Sequence, residues 1–578
     1  MRAWLAQDPD EETRAELGAM LDAAGAGSAG ASPATDPQQA LAALRTRFDG
    51  RLTFGTAGLR GEIAAGPTRM NRVVVAQAAA GLGAYLQARA AAGSTPSVVV
   101  GYDGRKNSAV FARDSAELLA GAGLAVTLLP RELPTPLVAF AVRHLDASAG
   151  IMVTASHNPP NDNGYKVYLG GADEGAQIVA PADAEIEAQI VRVATTTPVN
   201  ELARSADYET AAESLIDAYV TQTAAVGWLP PAEIGAQPRV VYTAMHGVGW
   251  QTFSRVLGAA GFIEPDLVTA QIEPDARFPT VAFPNPEEPG ALDLAYETAR
   301  SVGAHLIIAN DPDADRLAIA IPDTTRPEGY RRLTGNQVGM LLGWRAAEAA
   351  TTPGAARLGD TARTTARPTL ACSVVSSPAL AAVAAAYGLG FRETLTGFKW
   401  VSRVPGLIFG YEEALGYLVN PGTVRDKDGI SAAIAFLSLA SDLAVDGYTI
   451  ADQLDRFSER FGHFDSTQVS LRVTDLGRIR ALMAALRSSP PAAIGGIAVA
   501  SVDDLAAGSA GPTGLPPSNI LRIRTVDGDR VMVRPSGTEP KLKVYIDVSS
   551  TKGSLAKRKK AVAGRLAALE AGMRELVS

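Results

Sequence analysis

The stretch Gly150-Ile-Met-Val-Thr154-Ala-Ser156-His157-Asn158-Pro159-Pro160 joins a short apolar run to a polar turn closed by two prolines. It reads as a buried strand that stops at a loop, because Ile and Val suit a pleated surface and a proline cannot donate to a ladder. Similar runs lie upstream at Ser97-Val-Val-Val-Gly101 and Leu124-Ala-Val-Thr-Leu-Leu129, with Ala- and Leu-rich stretches of helical length between them. Alternating strand and helix predicts βαβ units. The pattern recurs at Arg239-Val-Val-Tyr-Thr243 and His305-Leu-Ile-Ile-Ala309, and again at Leu370-Ala-Cys-Ser-Val-Val375 and Leu407-Ile-Phe-Gly410. The fold class is therefore α/β, with three similar α/β domains built on mixed sheets.

Beyond these, residues 468–473, 520–525, 530–534 and 542–548 read as strands, and Asp527-Gly528 supplies a hairpin turn between two of them. A C-terminal α+β domain follows from that change of period. Proline and glycine clusters place the domains at 1–205, 206–325, 326–447 and 448–578. Residues 1–23 read as an amphipathic helix and 24–37 as a small-residue linker. The first 40 residues and 508–517 carry no functional signal and are expected to be exposed and mobile.

With 578 residues, 47% of them hydrophobic and 20% charged, the chain has material for several large cores, which excludes extensive disorder. The 53 Lys and Arg against 61 Asp and Glu give a net charge of -8, the wrong sign for coating nucleic acid. An anionic ligand must be caught locally. The single cysteine, Cys372, excludes an intramolecular disulfide and a Cys-built zinc site, and reads as a small core residue. The start turns acidic before an apolar core of a signal could form, which predicts a cytoplasmic protein. The longest charge-free run, 368–391, is broken by Ser376-Ser377-Pro378 and reads as strand, turn and Ala-rich helix, so no membrane partner is expected.

Four segments carry chemistry. Ser156 and His157 sit where open α/β sheets place reactive groups, at the C-terminal end of a strand. On its own the segment also reads as a turn with a capping serine. No Gly-x-Ser-x-Gly elbow occurs, which removes support for a hydrolase serine. In Asn310-Asp311-Pro312-Asp313-Ala314-Asp315-Arg316, three carboxylates at i, i+2 and i+4 repel one another unless a hard cation gathers them, and all-oxygen ligation suits Mg²⁺. The other reading is a solvated acidic turn. An EF-hand is excluded, because its sixth and twelfth positions would be Arg316 and Pro322.

The third segment, Gly410-Tyr411-Glu412-Glu413-Ala414-Leu415-Gly416-Tyr417, flanks adjacent carboxylates with glycines and tyrosines, an arrangement that suits vicinal sugar hydroxyls. It reads equally as a helix start favoured by the dipole. The fourth, Arg534-Pro-Ser536-Gly537-Thr538-Glu-Pro-Lys541, offers a guanidinium, two hydroxyls and backbone amides for a phosphate, or is an ordinary basic loop. No Walker sequence is present, so nucleotide hydrolysis of that type has no support.

In this order and on this background, the four segments resemble the α-D-phosphohexomutase superfamily of phosphoglucomutases and phosphomannomutases. The opening Phe54-Gly-Thr-Ala-Gly-Leu-Arg60-Gly61 resembles the family's N-terminal phosphate-contact segment. Together with Thr396-Gly-Phe-Lys399-Trp400 and Gly410–Tyr417 it points to the phosphoglucomutase/phosphopentomutase branch. The resemblance implies four domains around a central cleft, the last a lid. Ser156 would carry a phosphoryl group and complete a Mg²⁺ site with Asp311, Asp313 and Asp315. Lys166, His157 and Arg316 would surround the transferring group, with Lys166 as general acid/base if crowding lowers its pKa.

By the same resemblance Arg60, Lys399, Glu412, Glu413, Arg534, Ser536, Gly537 and Thr538 would hold the substrate. His246 matches a further family segment and reads as structural. The implied reaction interconverts sugar 1-phosphate and sugar 6-phosphate through a bisphosphorylated intermediate, with glucose 1,6-bisphosphate as activator. Glucose is the favoured sugar; mannose and ribose or deoxyribose phosphates are alternatives, and a non-catalytic phosphosugar-binding protein is the alternative of a different class. The expected partner is a small phosphosugar, with no nucleic acid, and the protein a monomer or weak dimer.

Overall fold

The computed structural model describes residues 1–577 except 26–35, 56–57, 227–236, 353–365, 474–475, 511–514 and 536–540. Its residues divide into two compact units, Met1–Arg332 with Asn420–Ser438, and Leu333–Val419 with Leu439–Ser578.

In the first unit the β-rich runs around Ser156 form one mixed sheet, in the order Leu59–Glu62, Asp162–Leu169, Ala149–Val153, Ser97–Tyr102, Ala125–Leu128 and Glu209–Thr210. Ala149–Val153, Ser97–Tyr102 and Ala125–Leu128 pair in parallel, as the alternation predicts. Asp162–Leu169 runs antiparallel to Ala149–Val153, with Lys166 opposite Met152. Gly164 is required there, since a Cβ would lie 2.6 Å from the Thr154 carbonyl and 2.8 Å from that of Leu59. A second mixed sheet has the order Tyr330–Arg332, Leu317–Pro322, Leu306–Asn310, Val240–Thr243 and Asp266–Leu267. It repeats the arrangement, parallel in the middle and antiparallel at Leu317–Pro322.

The N-terminal residues depart from expectation. Helices Arg2–Gln7, Glu11–Gly25 and Pro37–Phe48 place Trp4, Leu17 and Leu44 in the core of the first sheet's domain, beside Val73 and Val75. Glu16 accepts the Ala65 N–H at 2.8 Å and pairs with Arg47 at 2.7 Å. Burial of three large apolar side chains, at about 1.5–3 kcal/mol each, explains why this part is docked rather than mobile. Its predicted linker falls largely on 26–35, outside the described residues. Of 508–517, residues 511–514 are likewise outside them, and Leu515 is packed in an apolar cluster.

In the second unit the strands Gly390–Thr394, Thr369–Ser373, Leu407–Glu412 and Gly416–Leu418 form a third mixed sheet. Cys372 is buried in it, as a small core residue. The charge-free run 368–391 resolves into strand Thr369–Ser373, a turn and helix Ala379–Ala386. The fourth sheet is antiparallel throughout, in the order His463–Arg472, Lys541–Ser550, Arg530–Pro535, Leu521–Thr525, Ile497–Asp504 and Ala493–Ile494. Gly528, at φ 85°, makes the predicted hairpin turn.

Residues 420–438 pack with the first unit. Tyr168 donates to Asp426 and Tyr219 to Asp428, both at 3.0 Å and fully buried. Among the described residues no single helix is long and apolar enough to cross a membrane.

Candidate active site

Strand Ala149–Val153 delivers Ser156 to the end of the first sheet, and Thr154 Oγ1 accepts the Ser156 N–H at 2.8 Å. Ser156 takes φ 53°, in the left-handed region, which costs a side-chain-bearing residue about 1–3 kcal/mol unless the surroundings impose it. Arg105 imposes it. This buried guanidinium donates to the carbonyls of Ser156 at 2.6 Å, Asn158 at 2.7 Å, Pro159 at 2.8 Å and Asp162 at 3.2 Å. Asp103 faces it at 3.6 Å, and the Phe278 ring lies 5.0 Å beneath.

The aspartates follow strand Leu306–Asn310 in a turn whose Ala314 also has φ 53°. One ligand atom from each of Asp311, Asp313 and Asp315 lies within 4.8 Å of the other two, and all three residues are buried. Ser156 Oγ donates to Asp311 Oδ2 at 2.8 Å and lies 3.2 Å from His157 Nδ1. Thr135 Oγ1 donates to Asp313 Oδ2 at 2.6 Å. Lys166 Nζ reaches Asp313 Oδ2 at 2.7 Å and Asp315 Oδ2 at 2.8 Å. Arg316 Nε stands 3.9 Å from Asp311 and from Asp315, and Arg60 donates to Asn158 Oδ1 at 3.1 Å. Residues read from four separate stretches of sequence thus meet around one hydroxyl.

Thr135, Lys427, Arg105 and Asp103 belong to the same cluster and were passed over by the sequence reading. Lys427 Nζ contacts Asp315 Oδ2 at 2.7 Å, and Arg105 and Asp103 hold the serine turn. Lys427 lies in Val424-Arg-Asp-Lys-Asp-Gly429, a charged run beside the Glu412-Glu413 segment, so its composition was the available signal. Arg105 gave none, because its four partners are carbonyls more than fifty residues away.

Burial pushes Asp311 well above the ordinary carboxylate range, and the neighbouring Asp313 and Asp315 push it further. Burial acts on Asp313 in the same direction, but Lys166 and Lys427 outweigh it and hold that group low. Burial opposes the charge on Lys166, yet Asp313 and Asp315 raise its pKa. The groups in direct contact with Lys166 are carboxylates. His157 is held well below its ordinary value by burial and by Arg316 and Arg60, and so stays neutral.

The donor set fits a hard divalent cation. Asp313 Oδ1 and Asp315 Oδ1 are buried without a hydrogen-bond partner, and all the available ligands are oxygens.

The second unit gathers another group. Glu412 Oε1 accepts the Gly397 N–H at 2.6 Å, directly before the helical turn Phe398–Val401 that carries Lys399. Arg534 Nη1 donates to Thr396 Oγ1 at 2.7 Å. Glu413 Oε2 lies 3.1 Å from the hydroxyls of both Ser373 and Ser376. A Cβ on Gly335 would lie 2.0 Å from the Glu413 carbonyl, so this loop is closely seated. Ser536, Gly537 and Thr538 lie outside the described residues. His246, bonded to Thr280 at 2.8 Å, belongs to neither group.

A serine hydroxyl set against clustered carboxylates and buried lysines, at the strand ends of a mixed α/β body, is the equipment of an enzyme that moves phosphoryl groups between oxygens. Comparison with known proteins makes that class specific. Residues 51–196, 217–324 and 334–460 match the models of phosphoglucomutase/phosphomannomutase alpha/beta/alpha domains I, II and III, and 472–565 match the C-terminal domain. A probable phosphomannomutase of Haemophilus influenzae is 51% identical over 479 residues, covering 83% of this chain and 93% of that protein. A probable phosphoribomutase of Schizosaccharomyces pombe is 35% identical, covering 94% and 92%. A phosphoglucomutase of Staphylococcus aureus is 33% identical, covering 88% and 92%. The solved structure of a phosphoglucomutase/phosphomannomutase family protein from Burkholderia thailandensis shares the fold, with a TM-score of 0.66 at 20% identity, covering 91% and 97%. The chain belongs to the phosphoglucomutase/phosphomannomutase family and is a phosphosugar mutase, an isomerase by intramolecular phosphotransfer.

Proposed function

We propose that this mutase interconverts α-D-glucose 1-phosphate and glucose 6-phosphate, with Ser156 as the residue that carries the phosphoryl group. The observation that supports this most directly is the Ser156 hydroxyl, held by a strained turn at 2.8 Å from Asp311. Phosphoserine gives its phosphoryl group to the free hydroxyl of the monophosphate, the bisphosphosugar turns over, and the other phosphoryl group returns to Ser156. Glucose 1,6-bisphosphate is the activator that primes the serine.

Mg²⁺ held by Asp311, Asp313 and Asp315 supplies neutralisation of charge on the transferring group. The chain's own residues do the remainder. Arg105 keeps the serine turn in its reactive form. Lys166, Arg316 and Arg60 offer positive charge to the phosphoryl oxygens. His157, kept neutral and 3.2 Å from Ser156 Oγ, is placed to take and return the serine proton at Nδ1, beside Lys166 as the other acid/base candidate. Glu412 and Glu413 hold sugar hydroxyls, while Lys399, Arg534 and the loop of Ser536, Gly537 and Thr538 hold the phosphate that is not transferred.

A second reading, mannose 1-phosphate as substrate, is favoured by the 51% identical relative; the 35% identical relative favours ribose phosphate in the same way. The test is a coupled assay with Mg²⁺ and a trace of glucose 1,6-bisphosphate on the 1-phosphates of glucose, mannose and ribose. The glucose reading requires the highest kcat/KM on glucose 1-phosphate. A higher value on either of the others refutes it.

A further inference from the structure

An ion network built on two buried arginines runs through the second unit. Arg530, on strand Arg530–Pro535 and almost wholly buried, donates through Nε at 3.1 Å and Nη2 at 2.8 Å to Asp547 Oδ2. Its Nη1 donates to Glu393 Oε1 at 2.9 Å. The other Glu393 oxygen accepts from Arg522 Nη1 at 3.2 Å, and Arg522 Nε bonds to Asp503 Oδ2 at 3.1 Å. Buried ion networks are weak contributors to stability, because apolar residues of equal volume often serve as well. Position is the better account of this one, and the remaining bond of Arg530 shows of what. Its Nη2 also donates to the carbonyl oxygen of Ser376.

Ser376 lies in the turn after strand Thr369–Ser373, and its side chain meets Glu413 twice. Ser376 Oγ accepts the Glu413 N–H at 3.0 Å and donates toward Glu413 Oε2 at 3.1 Å, where Ser373 Oγ also arrives. The far side of the turn is tied as well, the Ser377 N–H donating to Asn336 Oδ1 at 2.8 Å. The direction of the Glu413 carboxylate is therefore set by a turn whose carbonyl is held by a buried cation of the antiparallel sheet.

We propose that Arg530 is a positioning residue that, through the Ser376 turn, aims Glu413 at the sugar ring and so sets affinity and selectivity between epimeric sugars. The inference rests on Glu413 as a ligand of sugar hydroxyls. Arginine suits the task because its planar fork serves three partners in fixed directions, whereas a lysine ammonium offers its donors from a single point.

The test uses the full chain with Arg530→Lys, Ser376→Ala, Glu413→Gln and the Arg530→Lys/Glu413→Gln double variant. Steady-state kinetics on glucose 1-phosphate and mannose 1-phosphate are read beside thermal unfolding. Arg530→Lys is expected to raise KM about five- to tenfold, the factor for one misaligned charged hydrogen bond, with kcat within about twofold and a changed glucose-to-mannose ratio of kcat/KM. In the Glu413→Gln background the same substitution should move KM less than about twofold, since its route of action is already gone. A lower melting temperature and lower kcat at unchanged KM would mean a structural role only, and overturn the inference.

If Arg530→Lys does not fold, Ser376→Ala carries the test, because it leaves the ion network whole. It should raise KM in the same way, and an unchanged KM overturns the inference. If Glu413→Gln raises KM while neither Arg530→Lys nor Ser376→Ala does, only the positioning role falls. If Glu413→Gln itself leaves KM and the epimer ratio unchanged, the sugar-binding reading of Glu413 falls and takes the inference with it.

Discussion

Arg105→Lys should slow the mutase without weakening its grip on substrate. The parent guanidinium makes four carbonyl contacts, to Ser156, Asn158, Pro159 and Asp162, between 2.6 and 3.2 Å. A lysine at this depth keeps the charge opposite Asp103, so no buried carboxylate is left unpaired, but its single nitrogen reaches about two of the four carbonyls. Two charged hydrogen bonds at about 1.5–3 kcal/mol each are lost, a weakening of about 3–6 kcal/mol before relaxation. The turn they restrain stores about 1–3 kcal/mol at the left-handed Ser156. If about half of that weakening survives relaxation and is felt in the transition state, the loss of about 2–3 kcal/mol lowers kcat about 30- to 150-fold. KM for the phosphosugar should stay within about twofold, because Arg105 faces the loop's carbonyls rather than the sugar. The coupled assay measures both constants, and intact mass reports how much Ser156 carries phosphate. A kcat within about threefold of the parent at unchanged melting temperature, or a loss wholly in KM, would refute the reasoning.

Ser156→Ala should abolish turnover and remove the phosphate seen by intact mass while leaving the melting temperature unchanged, and activity well above background would contradict the nucleophile. Chelation should abolish activity and Mg²⁺ restore it; added Mg²⁺ should raise the melting temperature of the parent but not of Asp313→Asn, and an equal rise in both would argue against the triad. Arg534→Ala should raise KM several-fold with a smaller effect on kcat, and an unmoved KM would count against a phosphate contact there. Burial pushes Asp428 up to about 6 from an ordinary value of 3.8, against hydrogen bonds from Ser431, Tyr219 and Ile430 that lower it. The folded chain then holds a proton between about pH 4 and 6 that the unfolded chain has released, so stability falls as pH rises through that window. Asp428→Asn cannot ionise, and its stability relative to the parent should rise by about 2 kcal/mol between pH 4 and pH 7 in denaturant titrations; a constant difference would refute the assignment.

Much of the architecture was legible because it is local. Strand Ser97–Tyr102 and hairpin Leu521–Thr525 to Arg530–Pro535 follow from runs of β-branched residues and the Asp527-Gly528 turn, which act over a few residues. The aspartates were legible for the same reason, since i, i+2 and i+4 spacing in a loop after a strand allows them to gather on one side. The docking of Trp4 and Leu17 was not legible, because a weakly amphipathic N-terminal helix looks alike whether or not a core lies beneath it.

The sequence by itself determined the order of strands and helices, the chemical kinds of residue available, and the family to which they belong, because each is written in neighbouring residues. Only the tertiary structure decided how the groups act on one another. It turned 162–169 back as an antiparallel strand, which puts Lys166 against Asp313 and Asp315, whose charges raise its pKa. It brought Lys427 to Asp315 and Arg105 to the serine turn. A carboxylate's charge, a lysine's proton and a serine's backbone angle are set by groups within a few ångströms, and the fold chooses those from residues fifty to two hundred and fifty positions away.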